Sequence, residues 1–459
     1  MRLAFSETQD TICAPATAMG VSALAIIRIS GSQALTCVAQ IFSKTLHDKA
    51  SHTSHLGWIR HQGKDIDQVV LSIYKNPHSF TGEDLIEITS HGSPYIQEQI
   101  LHALLSHGIR LAKAGEFTMR AFLAGKLDLV QAEAIADLIH ADNAAAHELA
   151  IGEIKGGFSK TLQKVRQNMI DFCGLLELEL DFSGEDVAFA DRTAFLAEIN
   201  NIYQTIEPLV ESFAWGNALK KGIAVAIIGK PNSGKSTLLN ALLQEEKAIV
   251  SPIAGTTRDS IEDVWIIEGI PFRLIDTAGL RKTQDEIENL GIEKSYQKAE
   301  SASVLVYLAD AQENPVTINT ELLALQEKTK TKKENTILVY NKIDLFPEAQ
   351  TQESPLALHT LHISAKMGKN THSLKDALFN WAKTQTKHTG ALSNVRHYNA
   401  LTNTLKYLKE VEKGLKNQVS ADWLALDLRM ALHEISEITG AVSSEDILDS
   451  IFSKFCIGK

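Results

Sequence analysis

GIAVAIIGKPNSGKSTLLNALL, residues 222–243, lies near the middle of a chain of 459 residues. Its first eight residues form a continuous apolar run, which is the pattern of a strand buried on both faces, and its last eight have helical spacing. Between them stands G-x-x-x-x-G-K-S, from Gly229 to Ser236. The sequence therefore predicts a strand, a glycine-rich loop and a helix, which is the order that a phosphate-binding loop requires.

Each part of this loop has a chemical role that its residue types can fill. Glycines let backbone N–H groups surround phosphate oxygens, and the N-terminus of the following helix adds the positive end of its dipole. Lys235 can reach the β- and γ-phosphates, and the Ser236 hydroxyl suits Mg²⁺. The predicted contacts in this loop are Asn232, Ser233, Gly234, Lys235, Ser236 and Thr237.

Two further motifs predict contacts to the γ-phosphate and its Mg²⁺. GTTRD, residues 255–259, offers threonine hydroxyls in a loop that can complete the Mg²⁺ shell. VWIIEGIPFRLI predicts two strands joined by a short turn and is followed by DTAG, whose aspartate can hold Mg²⁺ through water and whose glycine N–H can meet the γ-phosphate. The predicted contacts are Thr256, Thr257, Asp276, Thr277, Ala278 and Gly279.

Two motifs near residue 350 predict that the base is guanine. The strand TILVY is followed by Asn341, Lys342 and Asp344. An aspartate there can accept two N–H bonds from the guanine edge, whereas adenine presents the wrong pattern. The strand LHI is followed by Ser364-Ala365-Lys366, which matches the loop behind the guanine ring in GTPases. Five elements in this order, each placed by a strand, predict a GTP site.

The residue after DTAG predicts an unusual route to hydrolysis. Ras-like switches place a glutamine there to orient the attacking water, but this chain has Leu280, which cannot hydrogen-bond to water. Hydrolysis must therefore use another group. Four carboxylates follow, although by charge pattern alone they are typical of a solvated helix face. They are Asp285, Glu286, Glu288 and Glu293.

The flanking regions predict a multidomain α/β chain. Short strand-like runs such as ALAIIRISG and DLIEITSHG indicate an α+β domain at residues 1–125. Helical spacing follows over 126–220 and returns over 385–459, around a Ras-like P-loop α/β domain at 221–384. In the first helical region one stripe recurs at threes and fours: Leu162, Val165, Met169, Cys173, Leu176 and Leu180. In the second, Ser420 and Ser444 are predicted N-caps and Gly440 a predicted C-terminal stop. Neither helical set alone has enough apolar faces for a stable bundle, so we expect one helical domain with the G domain inserted.

Bulk properties narrow the class of protein. The cysteines, Cys13, Cys37, Cys173 and Cys456, show no disulfide or metal spacing, which favours the reducing cytosol. No apolar stretch predicts a membrane span or a signal peptide. The net charge of −11 argues against non-specific coating of nucleic acid but leaves room for a local basic patch. The densest basic run, EKTKTKKEN at 327–335, is typical of a solvated loop.

The final residues, Cys456-Ile-Gly-Lys459, allow more than one interpretation on residue types alone. A cysteine four residues from the end has the outline of a lipidation box, but glycine and a terminal lysine fit that box poorly. A frayed terminus is the default expectation for a chain end. If the final helix packs against the front of the chain, the tail would instead be held there.

Several long motifs resemble those of one family. AIIRISG, SFTGEDLIEITSHG, GEFTMRAFLAGKLDLVQAEAIADLI, the nucleotide motifs and the terminal CIGK together resemble the bacterial tRNA modification GTPases of the MnmE (TrmE) family over essentially the whole chain. The resemblance implies an N-terminal domain that binds 5-formyl- or 5,10-methylene-tetrahydrofolate and forms a homodimer. It implies cytoplasmic modification of C5 of the wobble uridine of certain tRNAs, adding an aminomethyl or carboxymethylaminomethyl group. The implied partner is an FAD flavoprotein of the MnmG (GidA) family, in a heterotetramer and without membrane.

The resemblance also implies roles for individual residues. Arg28, Glu87, Lys126 and Lys459 would bind folate, and Cys456 would take part in the chemistry. K⁺ would be held between the G domains of a dimer, where it would act like an arginine finger. Glu288 would orient the attacking water. The implied K⁺ ligands are Asn232, Ser251, Ile253 and Thr256, and the same loop would contact the nucleotide through Ser251, Pro252, Ile253, Ala254, Gly255, Thr256 and Thr257.

The chain departs from the family pattern at a few positions and leaves two other functions open. Ser251 replaces the usual threonine, Ala18 and Ser22 replace a proline and a glycine, and Ala114 replaces a proline. One alternative is a ribosome-assembly or RNA-binding GTPase switch without modification chemistry, which should carry a basic RNA-binding module. The other is a folate-dependent aminomethyl transferase with a regulatory G domain.

Overall fold

The computed structural model describes residues 10–181, 192–244, 263–275, 300, 302–346, 353–385, 391–417 and 419–459. These residues form two compact units. The first is drawn from Met1–Ile139, Gly152–Phe195 and Lys406–Lys459, and the second from His140–Ile151 and Leu196–Leu405. The mixed helix and sheet content confirms the predicted multidomain α/β class, and the four domain limits given above remain predictions.

A six-stranded sheet with two helices on one face forms the front of the first unit. The order is β3-β4-β5-β2-β1-β6, and all neighbours are antiparallel except β1 and β6. Apolar side chains of the sheet and of both helices share one core, which confirms the predicted α+β pattern. The elements are β1 Ile12–Pro15, β2 Ser22–Ser30, α1 Ala34–Ile41, β3 Thr53–His61, β4 Lys64–Tyr74, β5 Leu85–Gly92, α2 Pro94–Leu105 and β6 Arg110–Leu111.

Helices that follow the sheet in the chain, and others near the end of the chain, complete the first unit. The longest of them buries Leu162, Val165, Met169 and Cys173 at intervals of three and four, which confirms the predicted stripe. It packs against the helix that follows Ser420. Wholly or partly in this unit lie α3 Glu116–Leu123, α4 Leu129–His140, α6 Gly157–Asp181, α12 Val395–Lys416, α13 Ala421–Thr439 and α14 Glu445–Phe452. Three further helices belong wholly or mostly to the second unit: α5 Ala144–Ile154, α7 Arg192–Glu211 and α8 Phe213–Lys221.

The predicted caps of the last two helices have different outcomes. The Ser444 side chain accepts a bond from Ile447 N–H and so caps α14 as predicted. Ser420 occupies the N-cap position of α13, but its side chain makes no capping hydrogen bond. Gly440 ends α13 with φ +78°, and a Cβ there would lie 2.7 Å from the Phe122 ring. Gly440 is therefore needed both for its backbone conformation and for close packing.

The second unit contains a doubly wound sheet of the predicted Ras-like type. Its order is β12-β11-β10-β7-β9-β8, and only the β8–β9 pair is antiparallel. Helices α9 and α11 pack on one face, and α10 packs on the other. The elements are β7 Ile223–Ile228, α9 Lys235–Gln244, β8 Asp263–Ile267, β9 Ile270–Ile275, β10 Val304–Asp310, α10 Pro315–Thr329, β11 Thr336–Asn341, β12 His359–His362 and α11 His372–Gln385.

Three findings bear on the expectations from composition. The basic run at 327–335 is only partly a loop, because α10 extends to Thr329 and Lys333–Asn335 form a 3₁₀ turn. Among the described residues, no helix combines the length and apolarity needed to cross a bilayer. Within the same part of the chain, no three or more His, Cys, Asp or Glu side chains are grouped so that they could hold a metal ion.

Candidate functional site

The glycine-rich loop joins β7 to α9, and two of its glycines are required by their surroundings. A Cβ on Gly229 would lie 2.1 Å from the Leu308 carbonyl oxygen on the neighbouring strand. Gly234 has φ +96°, and a Cβ there would lie 2.3 Å from Asn341 Nδ2. Larger side chains at either position would push the loop away from the sheet edge, so the glycines keep the backbone N–H groups where a phosphate chain would be bound.

Lys235 points its charge into the loop. Its Nζ donates to the carbonyl oxygens of Gly229 and Lys230, both at 2.7 Å. Burial lowers the pKa of this lysine. These two carbonyl oxygens hold the ammonium group within the loop, where its positive charge could meet a polyphosphate.

Asn341 ties the phosphate loop to the loop predicted to lie behind the base. Its Nδ2 donates to Ser233 O at 2.8 Å, and its Oδ1 accepts from Ala365 N–H at 2.9 Å. The side chain is nearly inaccessible to solvent. Because one amide satisfies both loops, the phosphate and base regions are held at a fixed separation.

The predicted base-reading residues lie around this clamp. Ser364 Oγ donates to Asp344 Oδ1 at 2.5 Å, so the carboxylate is oriented while its residue stays exposed. Lys342 has φ +66°, and its Nζ pairs with Asp310 Oδ2 at 2.7 Å. Asp310 was not among the residues predicted from the sequence, although it ends the strand SVLVYLAD beside the strand that ends in Asn341.

The remaining predicted nucleotide contacts in the described residues lie on the same edge. Ser236 and Thr237 are exposed in the first turn of α9, and Lys366 is exposed after Ala365. Asn232 has φ +62° and is exposed, whereas the buried Ser233 Oγ makes no hydrogen bond. The other predicted residues lie outside the described residues: Ser251, Pro252, Ile253, Ala254, Gly255, Thr256, Thr257, Asp276, Thr277, Ala278, Gly279, Leu280, Asp285, Glu286, Glu288 and Glu293.

A second site centres on a cross-strand ion pair in the first unit. Arg28 on β2 lies opposite Glu87 on β5, and its Nε and Nη2 donate to Glu87 Oε1 at 3.0 and 2.8 Å. The guanidinium carbon lies 5.6 Å from the Phe80 ring centroid and 5.8 Å from that of Phe117. The arginine is therefore fixed by one carboxylate and two aromatic rings.

The end of the chain lies against this ion pair. Arg28 Nη1 donates to Gly458 O at 3.4 Å, and Ile457 forms a β-bridge with Ala114. Gly458 has φ +95°, and a Cβ there would lie 2.1 Å from Pro15 O. The frayed-tail interpretation is therefore wrong, because backbone contacts and close packing hold these residues in place.

Lys459 and Lys126 lie differently around the pair. Burial, then the nearby Arg28 charge, lowers the pKa of Lys459, while Cys456 and Glu87 act in the opposite direction. Lys126 is exposed, and its Nζ donates to Pro77 O at 2.5 Å. The structure thus brings Arg28, Glu87 and Lys459 together and places Lys126 against the loop that precedes Phe80. Cys456 is an exposed free thiol.

A buried charge network explains part of the GEFTMRAF motif. Glu116 and Arg120 are each only 3% exposed, and Arg120 Nη2 donates to Glu116 Oε1 at 3.0 Å. Arg110 Nη2 donates to the same oxygen at 2.6 Å, and Arg120 also pairs with Asp10 and Glu83. Burial by itself would raise the pKa of Glu116, but hydrogen bonds from Arg110 and Lys113 N–H outweigh it and lower the pKa. These residues hold β1, β6 and α3 together rather than forming an open site.

The β7–loop–α9 unit, the Asn341 clamp and the oriented Asp344 define the class of P-loop GTPase domains. Two family models extend the comparison beyond this domain. The one described as MnmE helical domain matches residues 129–456, and the one described as GTP-binding protein TrmE N-terminus matches residues 11–126. The chain belongs to the MnmE (TrmE) family.

Relatives at high identity span the same length. The protein of Flavobacterium johnsoniae called tRNA modification GTPase MnmE is 46% identical over 463 residues, covering 98% of this chain and 99% of its own. The protein of that name from Cytophaga hutchinsonii is 47% identical over 453 residues, covering 98% of each. That from Bacteroides thetaiotaomicron is 45% identical over 468 residues, covering 98% of this chain and 100% of its own.

Proposed function

We propose that this protein hydrolyses GTP and couples hydrolysis to modification of C5 of the wobble uridine in certain tRNAs, in the cytoplasm. One observation carries the proposal. The same chain contains a sheet edge where Asn341 joins the two predicted nucleotide loops, and a cationic site closed by the terminal CIGK. A plain molecular switch needs only the first of these. Relatives named as tRNA modification GTPases at nearly full length support the combination.

At the nucleotide site, the side chains present fit Mg²⁺ and K⁺, the cations expected for the family. Mg²⁺ prefers oxygen ligands, and the exposed Ser236 hydroxyl at the start of α9 is one, with Thr257 as its proposed companion. K⁺ would be held by Asn232, an exposed residue of the loop, together with Ser251, Ile253 and Thr256. The cations would neutralise charge that builds on the transferred phosphoryl group, and Glu288 would orient water where Leu280 cannot.

At the second site, the Arg28–Glu87 pair would bind a reduced folate. A pterin edge offers N–H donors to a carboxylate, and both Arg28 bonds go to Oε1, which leaves Glu87 Oε2 to accept them. The glutamate tail of folate is anionic, so Lys126 and Lys459 would pair with it. Phe80, which is partly exposed beside Arg28, would give this site an apolar wall. Cys456 would take part in the chemistry from the adjoining tail.

The remaining parts of the proposal concern partners. Folate would supply the one-carbon unit, and an FAD flavoprotein of the MnmG family would supply the redox chemistry in a heterotetramer built on a homodimer of this chain. A net charge of −11 gives this chain little general affinity for phosphate backbones, so the flavoprotein would carry much of the tRNA binding.

The decisive test has two parts, nucleoside analysis of tRNA from cells and a reconstituted modification reaction. We expect tRNA from cells that lack the gene to lack the C5 modification, and purified tRNA to acquire it only when this protein, the flavoprotein, GTP and the folate derivative are all present. Omitting GTP or folate in turn should each abolish product. Normal wobble uridines in the deletion strain would refute the proposal and favour an RNA-binding switch without modification chemistry.

A further inference from the structure

We infer that Asp310 is a positioning residue for guanine-nucleotide binding, which it serves by holding the Lys342 side chain in place before the nucleotide arrives. This inference rests on the proposed function, because it assumes a guanine nucleotide beside Lys342. It assigns a task to a carboxylate outside the loops that touch phosphate or base.

The position of Asp310 follows from the sheet. Strands β10 and β11 are parallel neighbours, and Asp310 is the register partner of Asn341, the last residue of β11. Ala311 N–H donates to Asn341 O at 2.9 Å, which joins the two strand ends. The chain turns at Lys342 with φ +66°, and this turn directs its side chain back toward β10, where Nζ meets Asp310 Oδ2 at 2.7 Å.

Hydrogen bonds within its own turn position Asp310 independently of Lys342. Asp310 Oδ1 accepts from Gln312 N–H at 3.1 Å, and Glu313 N–H donates to Asp310 O at 3.0 Å. One carboxylate oxygen thus orders its own turn and the other pairs with Lys342. The two side chains are 16% and 30% exposed, so the pair is more protected from water than the exposed lysine pairs of α12.

The Asp310–Lys342 pair should reduce the entropy that is lost when a nucleotide binds. A lysine side chain has a flexible four-carbon stem and a strongly hydrated ammonium group, and it loses much rotamer freedom when it is fixed. Lys342 stands between Asn341 and Asp344 in the chain and is itself a predicted nucleotide contact, so its stem would lie beside a base that Asp344 reads. With the head already fixed by Asp310, the stem is ordered in advance and binding loses less entropy.

The test compares Asp310→Asn with a matched control in the same turn. Glu313→Gln removes one 2.7 Å contact to Lys230, which keeps its second contact to Glu321 at 2.7 Å. Both variants lose one charge in the full-length protein. We expect Asp310→Asn to weaken binding of fluorescent GDP and GTP about tenfold, mainly by faster dissociation, and the control to change it less than about twofold. In the Glu313→Gln control, turnover at saturating GTP should stay near that of the parent protein.

A double variant separates positioning from general structure. Because Asp310 acts through Lys342, Asp310→Asn combined with Lys342→Gln should bind GDP no more weakly than Lys342→Gln alone. Nucleotide-free Asp310→Asn should unfold at the same temperature as the control. Unchanged GDP affinity in Asp310→Asn, or additive losses in the double variant, would overturn the inference while leaving the proposed function intact. If the parent protein binds no guanine nucleotide, the proposed function itself fails.

Discussion

At the scale of single residues, Gly458 decides where the tail can lie. Its φ of +95° favours glycine, and its Cα lies so close to Pro15 O that a Cβ would be 2.1 Å from that oxygen. Gly458→Ala should therefore displace the tail and remove the Arg28 contact. We expect binding of 5-formyl-tetrahydrofolate, measured by calorimetric titration, to fall about tenfold or more, in keeping with the cost of an unpaired charged donor, while GDP affinity stays unchanged.

A second glycine provides the control. Gly63 also has positive φ, at +75°, but a Cβ there would meet nothing within 4 Å. Gly63→Ala therefore introduces backbone strain in the β3–β4 turn without a steric clash. An equal loss of folate affinity in both variants would show that the close approach to Pro15 is not the cause.

Also at the residue scale, Glu116 should be important for stability. It is 3% exposed and accepts from Arg110, Arg120 and Lys113 N–H. Removing its charge leaves Arg120 buried with one fewer partner, so Glu116→Gln should lower the free energy of unfolding by about 3 kcal/mol. Urea denaturation checks this value. Asp65→Asn, which breaks an exposed pair with Arg60, should cost less than about 0.5 kcal/mol.

The pH dependence of that stability has a definite sign. The pKa of Glu116 lies below its ordinary value of 4.5 in the folded state. Its stabilising contribution is therefore fully present above the unfolded-state pKa and is lost as the pH falls through the folded-state pKa. Below pH about 4.5 the parent protein should lose stability more steeply than Glu116→Gln. Parallel slopes in urea denaturation from pH 7 to 3 would contradict this assignment.

At the scale of elements, helix α14 anchors the C-terminal tail. Phe452 is 2% exposed and belongs to the apolar cluster that joins α14 to α4. Phe452→Ala should destabilise this packing by about 3–5 kcal/mol and release the residues after it. Hydrogen exchange in 445–459 should become faster, and folate affinity should fall. Leu178→Ala, at a side chain 46% exposed, should change neither observable.

At the scale of the whole molecule, the proposed K⁺ site makes hydrolysis depend on the ion and on association. The cation would lie between two G domains and act where Ras-like proteins use an arginine finger. We expect GTP turnover to rise about tenfold or more when K⁺ replaces Na⁺, and turnover per chain to rise with protein concentration. Glu288→Ala should lose turnover but bind GTP normally. Equal rates in both salts would exclude the cation mechanism.

Sequence patterns around Lys235, Asn341 and Asp344 predict the local structure of the nucleotide site. The strand, loop and helix around Lys235 follow from apolar runs and glycine spacing within 22 residues, because backbone conformation and burial on adjacent elements depend mainly on neighbouring side chains. The same holds for Asn341 and Asp344, which follow a buried strand. The Ser420 cap shows the limit of such patterns, since the residue has the right position but no capping bond.

Contacts between residues far apart in the chain depend on the assembled fold. Arg28 and Gly458 are 430 positions apart, and Lys342 and Asp310 are 32 apart. These contacts depend on strand order, on register and on packing of the final helix, none of which is encoded in a local spacing. A hydrogen bond forms only within about 3.5 Å, so the identity of each partner is fixed by the assembled fold rather than by either residue's neighbours in the chain.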